Sequence, residues 1–217
     1  MKTSLSREEA QTIAHLLAES YPGLHPFLDA KNPFESLIAT ILSAQTTDRQ
    51  VNKVTPALFQ AYPDPAHLSQ AQVEEVIPYI HSIGFFRSKS KNIIATARKL
   101  MDDFQGEVPR EMDELTALPG VGRKTANVVR ANAFGYPAMP VDTHVFRVAN
   151  RLGLSQSKTP DECEQDLRAL LDPSLWNYFH LSIIMHGRTC CLARRPHCES
   201  CPLQAYCRTY QEAQADQ

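Results

Sequence analysis

Apolar residues recur along this chain at helical spacing, in stretches fenced by helix-start signals. Phe34, Leu37, Ile38, Ile41 and Leu42 follow i, i+3, i+4, i+7, i+8, the stripe of a helix with one face in a core. Asn32, Pro33 and Glu35 stand ahead of it as N-cap, N1 and N3. Ser6 and Glu9 form a capping box before Ile13, Leu16 and Leu17, and Ser69 with Gln72 repeats that signal. Ile93, Ile94, Ala97, Leu100 and Met101 make another stripe, which ends near Gly106. Met112 to Leu118 reads as a short helix, and Arg123 to Phe134 as a longer one closed by Gly135. Thr159, Pro160 and Glu162 open a helix holding Leu167, Leu170 and Leu171; a further helix spans Trp176 to His186 and is stopped by Gly187. Pro56 and Pro78 interrupt helical patterns and are expected to break or kink them. No sustained period-two alternation occurs, so the expected fold class is all-α, without a sheet.

At 217 residues the chain is one large domain or two small ones, and its 43% hydrophobic share is ordinary for a chain that buries a core. The segment from Gly135 to Pro140 is rich in Pro and Gly and is the best candidate for a crossing between two helical lobes. No apolar run approaches the roughly 20 residues of a membrane span, and the first nine residues lack the apolar stretch of a signal peptide. A cytosolic protein with no membrane partner is the expectation. The net charge of −2 argues against a uniformly basic nucleic-acid binder, but the distribution is uneven. Arg123, Lys124, Arg130, Arg147 and Arg151 face only Asp142 within their segment, and Arg188, Arg194, Arg195 and Arg208 face only Glu199 in theirs. The acids gather elsewhere, as in Asp161, Glu162, Glu164, Asp166 and Asp172. Two basic segments in a mildly acidic chain suggest one positive face, although from charge alone solvated helix faces are the plainer reading.

The string Leu118, Pro119, Gly120, Val121, Gly122, Arg123 runs straight into Lys124 between two helical segments. Glycines suit a turn that visits positive φ and lets another group approach the backbone closely. The first N–H groups of the following helix then point outward with the positive end of the helix dipole behind them, which makes an anion site that reads no base sequence. A Gly-x-Gly turn alone is no more than an ordinary αα-hairpin. The longer string, with an apolar anchor, a proline, two glycines and a cation in place, favours the anion site. A lysine becomes a nucleophile when its ammonium form is disfavoured, and both the helix dipole and partial burial beside the hairpin act in that direction on Lys124. Asp142, in Val141-Asp142-Thr143-His144, opposes this as an ion-pair partner unless it accepts the proton. From these two residues alone, a phosphate contact is the plainer role for Lys124.

Cys191, Cys198, Cys201 and Cys207 are close enough in sequence to reach one centre. A disulfide framework does not suit a chain without a secretory signal. Structural zinc and an iron–sulfur cluster both take four thiolates, and ligand type does not separate them. Cys163 and Cys190 are left over and read as structural, with Cys190 able in principle to substitute for its neighbour Cys191. The loop between the first two ligands holds Arg194, Arg195 and His197, so clamping both its ends would preorganise a basic loop for a phosphate backbone.

With these residues in view, the chain resembles the endonuclease III family of helix-hairpin-helix DNA glycosylases over nearly its whole length. The resemblance rests on Leu118 to Val129, on Val141 to Arg147, on His186-Gly187-Arg188 and on the four-cysteine spacing. It implies a [4Fe-4S] cluster on Cys191, Cys198, Cys201 and Cys207. It implies a six-helix barrel lobe with the hairpin, residues 26–136 by the boundary signals, and a second lobe from residues 1–25 and 137–217, with DNA over the cleft between them. It implies a monomer acting in the bacterial cytosol on duplex DNA that carries damaged bases or abasic sites. Lys124 would attack C1′ of an oxidised pyrimidine nucleotide, expel the base and, through a Schiff base, nick the strand 3′ to the lesion by β-elimination. Asp142 would handle protons and stabilise positive charge on the sugar, and its place before a helix suits a cap that holds the carboxylate still. The base must leave the stack to be reached. The resemblance gives the filling of the hole to Gln45 and the wedge to Phe85, where the family more often has leucine; a flatter wedge could stack on the orphan base. Further DNA contacts fall to Gly120, Val121, Gly122, Arg123, His144, Arg147, Arg194 and Arg195. A non-catalytic hairpin module with structural zinc is the alternative.

Overall fold

The computed structural model describes residues 5–215, which form twelve α-helices, short turns and three brief 3-10 segments, with no strand among the described residues. No helix among them is long and apolar enough to cross a membrane. The chain divides into two compact units, Pro26–Tyr136 and the described residues of Met1–His25 with Pro137–Gln217.

The unit Pro26–Tyr136 contains α2 (Pro33–Leu42), α3 (Asp48–Ala61), α4 (Pro65–Gln70), α5 (Val73–Ile80), α6 (Phe86–Phe104), α7 (Met112–Thr116) and α8 (Arg123–Phe134). That is one helix more than a six-helix barrel, the five-residue α7 making the difference. Each start has a local cause. Asn32 caps α2 by accepting from Glu35 N–H at 2.9 Å, while the Glu35 carboxylate reaches back to Lys31 N–H at 2.7 Å. Every residue from Phe34 to Leu42 is buried, because α2 is covered by α8, α3 and α6. Leu37, Ile38, Leu58, Ile80, Ile93, Leu100 and Leu115 fill the core between the helices. Ser69 does not cap a helix: it lies inside α4, and Gln72 takes the N-cap of α5 in a capping box with Glu75. Ala71 between them is extended, so the start falls three residues later than the sequence signal. Pro56 and Pro78 interrupt neither α3 nor α5. Each helix buries apolar residues on both sides of its proline (Val54 and Leu58, Val76 and Ile80), and that packing outweighs one missing backbone bond.

The other unit is built on α1 (Arg7–Ser20), α9 (Thr143–Leu152), α10 (Pro160–Leu170), α11 (Trp176–Thr189) and α12 (Arg208–Ala215). Ser6 and Glu9 form the expected capping box on α1, and Thr159 caps α10. α11 packs on α1 and α9, with Ile13, Leu17, Val145, Val148, Phe179 and Ile183 between them. Gly187 does not stop α11, which continues to Thr189. A Cβ at Gly187 would lie 3.1 Å from His144 Cβ and from Arg147 Nη2. The glycine lets α9 approach α11 closely, and its cost in helix propensity is carried by that packing.

Leu37 has no exposure and sits where α2 meets α8. Leu37→Ala is expected to lower unfolding stability by about 2–5 kcal/mol, the usual range for a truncated buried leucine. Denaturant melts of the wild-type chain and the variant measure it.

Candidate functional site

The hairpin between α7 and α8 is held from below by α6. Thr96 Oγ1 donates to Pro119 O at 2.8 Å, and Val121, buried, closes the turn by donating its N–H to Leu118 O at 3.1 Å. Gly120 has φ +76, and a Cβ there would lie 2.9 Å from Asn92 Nδ2 and 3.1 Å from Asn92 Cβ. It is glycine for two independent reasons, a left-handed backbone and a neighbour in the way. Gly122 differs: its φ is −94 and an added Cβ would meet nothing within 4 Å. Nothing in the protein itself requires a glycine there, so the open space suits a group from outside. No side chain caps the N-terminus of α8, which leaves its first N–H groups and dipole available to an anion. Arg123 and Lys124, the first two residues of the helix, are exposed. The expected partial burial of Lys124 is absent, because the hairpin buries Leu118 and Val121 and leaves the first turn of α8 outside.

Two further loops of this unit share an unusual backbone. Gln45 has φ +53, and Phe85, the N-cap residue of α6, has φ +58 and ψ +28. Left-handed residues other than glycine cost roughly 1–3 kcal/mol each and collect at functional positions. Both side chains are exposed, Phe85 at 67%. The loops touch: a Cβ on Gly84 would lie 4.0 Å from Gln45 O.

In the second unit, Asp142 is the N-cap of α9. Its Oδ1 accepts from His144 N–H and Val145 N–H, each at 2.8 Å, so the carboxylate is fixed by two backbone bonds. Arg147, one turn along, is committed inward: Nη2 donates to Gly187 O at 2.9 Å and Cys191 O at 3.1 Å and lies 3.2 Å from His144 Nδ1. It braces α9 against the end of α11, a use of the cation that a charge count does not reveal. Arg151, further along α9, holds the cysteine loop through Nη1 to Leu192 O at 2.7 Å and Nη2 to Ala193 O at 3.0 Å. Arg194 and Arg195, in the loop so held, are exposed.

Cys191, Cys198, Cys201 and Cys207 line one cavity of about 180 Å³, together with Cys190 and His186. None of the six cysteines is in a disulfide. Burial pushes the Cys201 thiol up to about 12 and raises Cys207 above the ordinary thiol range. Thiolates in such surroundings need a cationic centre to form. Donors for the sulfurs are in place: Arg151 Nη1 is 3.4 Å from Cys191 Sγ, and His186 Nε2 is 3.6 Å from Cys201 Sγ. Burial lowers His186 to about 4, so the ring is neutral at pH 7; with Nε2–H on the sulfur, Nδ1 accepts from Tyr21 Oη at 3.1 Å. The site therefore fits a metal–sulfur centre. Cys190 is close as well, its Sγ within 4.8 Å of ligand atoms of His186 and Cys201.

The model of the HhH-GPD superfamily of base excision DNA repair proteins matches residues 38–173, and that of the iron–sulfur binding domain of endonuclease III matches residues 191–207. The second match starts at Cys191 and leaves Cys190 outside. Endonuclease III of Synechocystis sp. is 49% identical over 97% of this chain and 96% of its own length. The chain belongs to the endonuclease III family. Endonuclease III of Escherichia coli K12 is 44% identical over 88% of this chain and 90% of that one. A trapped endonuclease III–DNA covalent intermediate, an estranged-adenine complex, superposes with a TM-score of 0.91 at 44% identity, covering 97% of this chain and 99% of the other. This member is a base excision repair enzyme, a DNA glycosylase with AP lyase activity in the repair of oxidised pyrimidines, and it carries a [4Fe-4S] cofactor.

Three features were not legible as site components in the sequence: the hold of Arg151 on the cysteine loop, the contact of Tyr21 with His186, and the bracing role of Arg147. No local motif marks a side chain whose partner is a backbone carbonyl some forty residues away.

Removing the metal with an iron chelator is expected to bleach the protein's visible absorption and free the loop after Cys191. Trypsin should then cut after Arg194 in the stripped protein, Arg195 being shielded by Pro196, and spare the loaded one. Equal resistance of both forms would show that Arg151 holds the loop without the metal.

Proposed function

We propose that Lys124 is the nucleophile and Asp142 the proton-handling group of this glycosylase–lyase. The reading is carried by the position of Lys124: exposed in the first turn of α8, one residue past an uncapped helix N-terminus whose Gly122 leaves room for a phosphate. Backbone N–H groups of Gly120 and Gly122 grip the DNA backbone, with Val121 closing the turn beneath them through its own bond to Leu118 O and Arg123 beside them, and the grip sets the distance from phosphate to amine. Lys124 Nζ attacks C1′, the glycosidic bond breaks and the base leaves with its electron pair. The amine then loses a proton as the sugar ring opens at the C1′–O4′ bond and O4′ takes up a proton, which gives the Schiff base; removal of a C2′ proton next expels the phosphate from C3′, the β-elimination that breaks the strand 3′ to the lesion. Asp142 takes a proton on Oδ2, because Oδ1 is committed to the cap.

The same reading assigns Arg194 and Arg195, exposed on the braced loop, to DNA phosphates, and His144, in the first turn of α9, to the strand near Asp142. Arg147 serves the DNA surface by holding α9 and the cysteine loop together. Cys191, Cys198, Cys201 and Cys207 hold the cluster, which keeps that loop in shape. Gln45 fills the space left by the extruded base and Phe85 enters the stack beside it. The enzyme acts as a monomer on lesion-bearing or abasic duplex DNA in the bacterial cytosol.

Borohydride is expected to trap a covalent protein–DNA adduct with the wild-type enzyme and none with Lys124→Ala, which should still bind the duplex. An undiminished adduct in that variant overturns the assignment. Asp142→Asn keeps a good N-cap residue, so its melting temperature should stay near that of wild type while turnover falls about 10²- to 10⁴-fold. A variant that loses stability and activity in parallel would make Asp142 a cap and nothing more. Gly120→Ala forces a Cβ onto Asn92 at positive φ; duplex binding should weaken by about 1–3 kcal/mol in a titration at fixed salt.

A further inference from the structure

Among the described residues Lys89 is the only buried lysine, at 5% exposure, and no role above uses it. It lies on the first turn of α6, where its N–H bonds to Phe85 O at 3.0 Å. Its Nζ donates to Thr46 Oγ1 at 2.7 Å, and that hydroxyl is 3.4 Å from Ala44 O. Thr46 N–H in turn bonds to Ser43 O at 3.0 Å, closing the turn around Gln45. Burial holds the ammonium below the usual lysine range with no charged neighbour to offset it. For packing alone, an apolar side chain of the same length would serve better, since a buried cation against a neutral hydroxyl is unfavourable. What the amine does is join the residue after Gln45 to the helix turn that begins at Phe85. Gln50 Nε2, in the first turn of α3, makes a second tie to the loop before α6, donating to Ser82 Oγ at 2.9 Å.

We propose that Lys89 is a positioning residue that holds the Gln45 turn and Phe85 in one register, so that both side chains enter the duplex together when the lesion is extruded. The proposal rests on the reading that Gln45 and Phe85 occupy the emptied stack. Two left-handed turns carrying exposed side chains would otherwise relax independently, and a tie between their backbones transmits the position of one to the other. Lys89 touches no reacting atom. Its effect is confined to substrates whose base pair must be opened.

The test compares Lys89→Met, which keeps the stem and loses the donors, with Lys89→Arg and Phe85→Ala in the full, cluster-loaded enzyme. Each is assayed in single turnover on an oxidised pyrimidine paired in a duplex and on the same lesion in an unpaired bulge. Lys89→Met is expected to slow base release from the paired duplex roughly 10- to 100-fold and to stay within about twofold of wild type on the bulge. It should melt no lower than wild type, because the variant removes a buried charge. Lys89→Arg should recover most of the paired-duplex rate. Unchanged release from the paired duplex in Lys89→Met, with Phe85→Ala slow, overturns the positioning role alone. Unchanged release in Phe85→Ala as well takes the wedge reading down with it. Equal losses on both substrates would make Lys89 a general structural residue and overturn the proposal.

Discussion

The close packing of the hairpin on α6 is the constraint from which the first unit's arrangement follows. Gly120 sits where any Cβ would strike Asn92, and Thr96 holds Pro119 one turn further along the same helix. The proposed phosphate grip is therefore mounted on α6. The same helix starts at Phe85, and Lys89 on its first turn carries the Gln45 loop. Eleven residues of helix separate Phe85 from Thr96, roughly 16 Å of rigid rod. The hairpin and the two exposed left-handed residues are thus spaced by the length of one helix.

The second unit uses α9 in a parallel way. Its start is fixed by the Asp142 carboxylate, and its later turns present Arg147 and Arg151 to the backbone at the end of α11 and to the loop after Cys191. The sulfur atoms are coupled to the same rod, since Arg151 Nη1 lies against Cys191 Sγ and Cys207 Sγ lies 3.5 Å from Arg151 O. A cluster in that cavity would act on chemistry without any electron transfer, by stiffening the frame that orients Asp142 and the exposed Arg194 and Arg195. Four arginines of this region divide accordingly: Arg147 and Arg151 are braces, and the loop pair, Arg194 and Arg195, faces solvent.

Much of this was legible in the sequence because its causes are local. Capping at Ser6, Asn32 and Thr159, the hairpin string, the span of α8 and the cap at Asp142 all depend on neighbours within a few residues, and each appears as read. The misreadings share one physical origin, which is tertiary contact. Gly187 reads as a stop signal, yet its missing side chain serves a helix crossing. Pro56 and Pro78 read as breaks, yet core packing on either side carries the helices through. Lys124 reads as half-buried, yet the hairpin closes beneath it. Lys89 is the converse: lysine is among the residues least often buried, so no pattern in a single sequence marks the one whose head group is enclosed.

Gln45 and Phe85 raise a sharper question, because glycine would adopt both left-handed turns without strain. Retaining a bulky side chain at each position implies that the side chain itself is used, and its exposure in the free protein says that the use is outside the fold. A flat aromatic ring can stack on any base, because every base offers a π-face. Leucine in the same place would fill volume without a planar contact. In the proposed wedge role, Phe85 would favour an orphan base that remains stacked over one that is pushed aside.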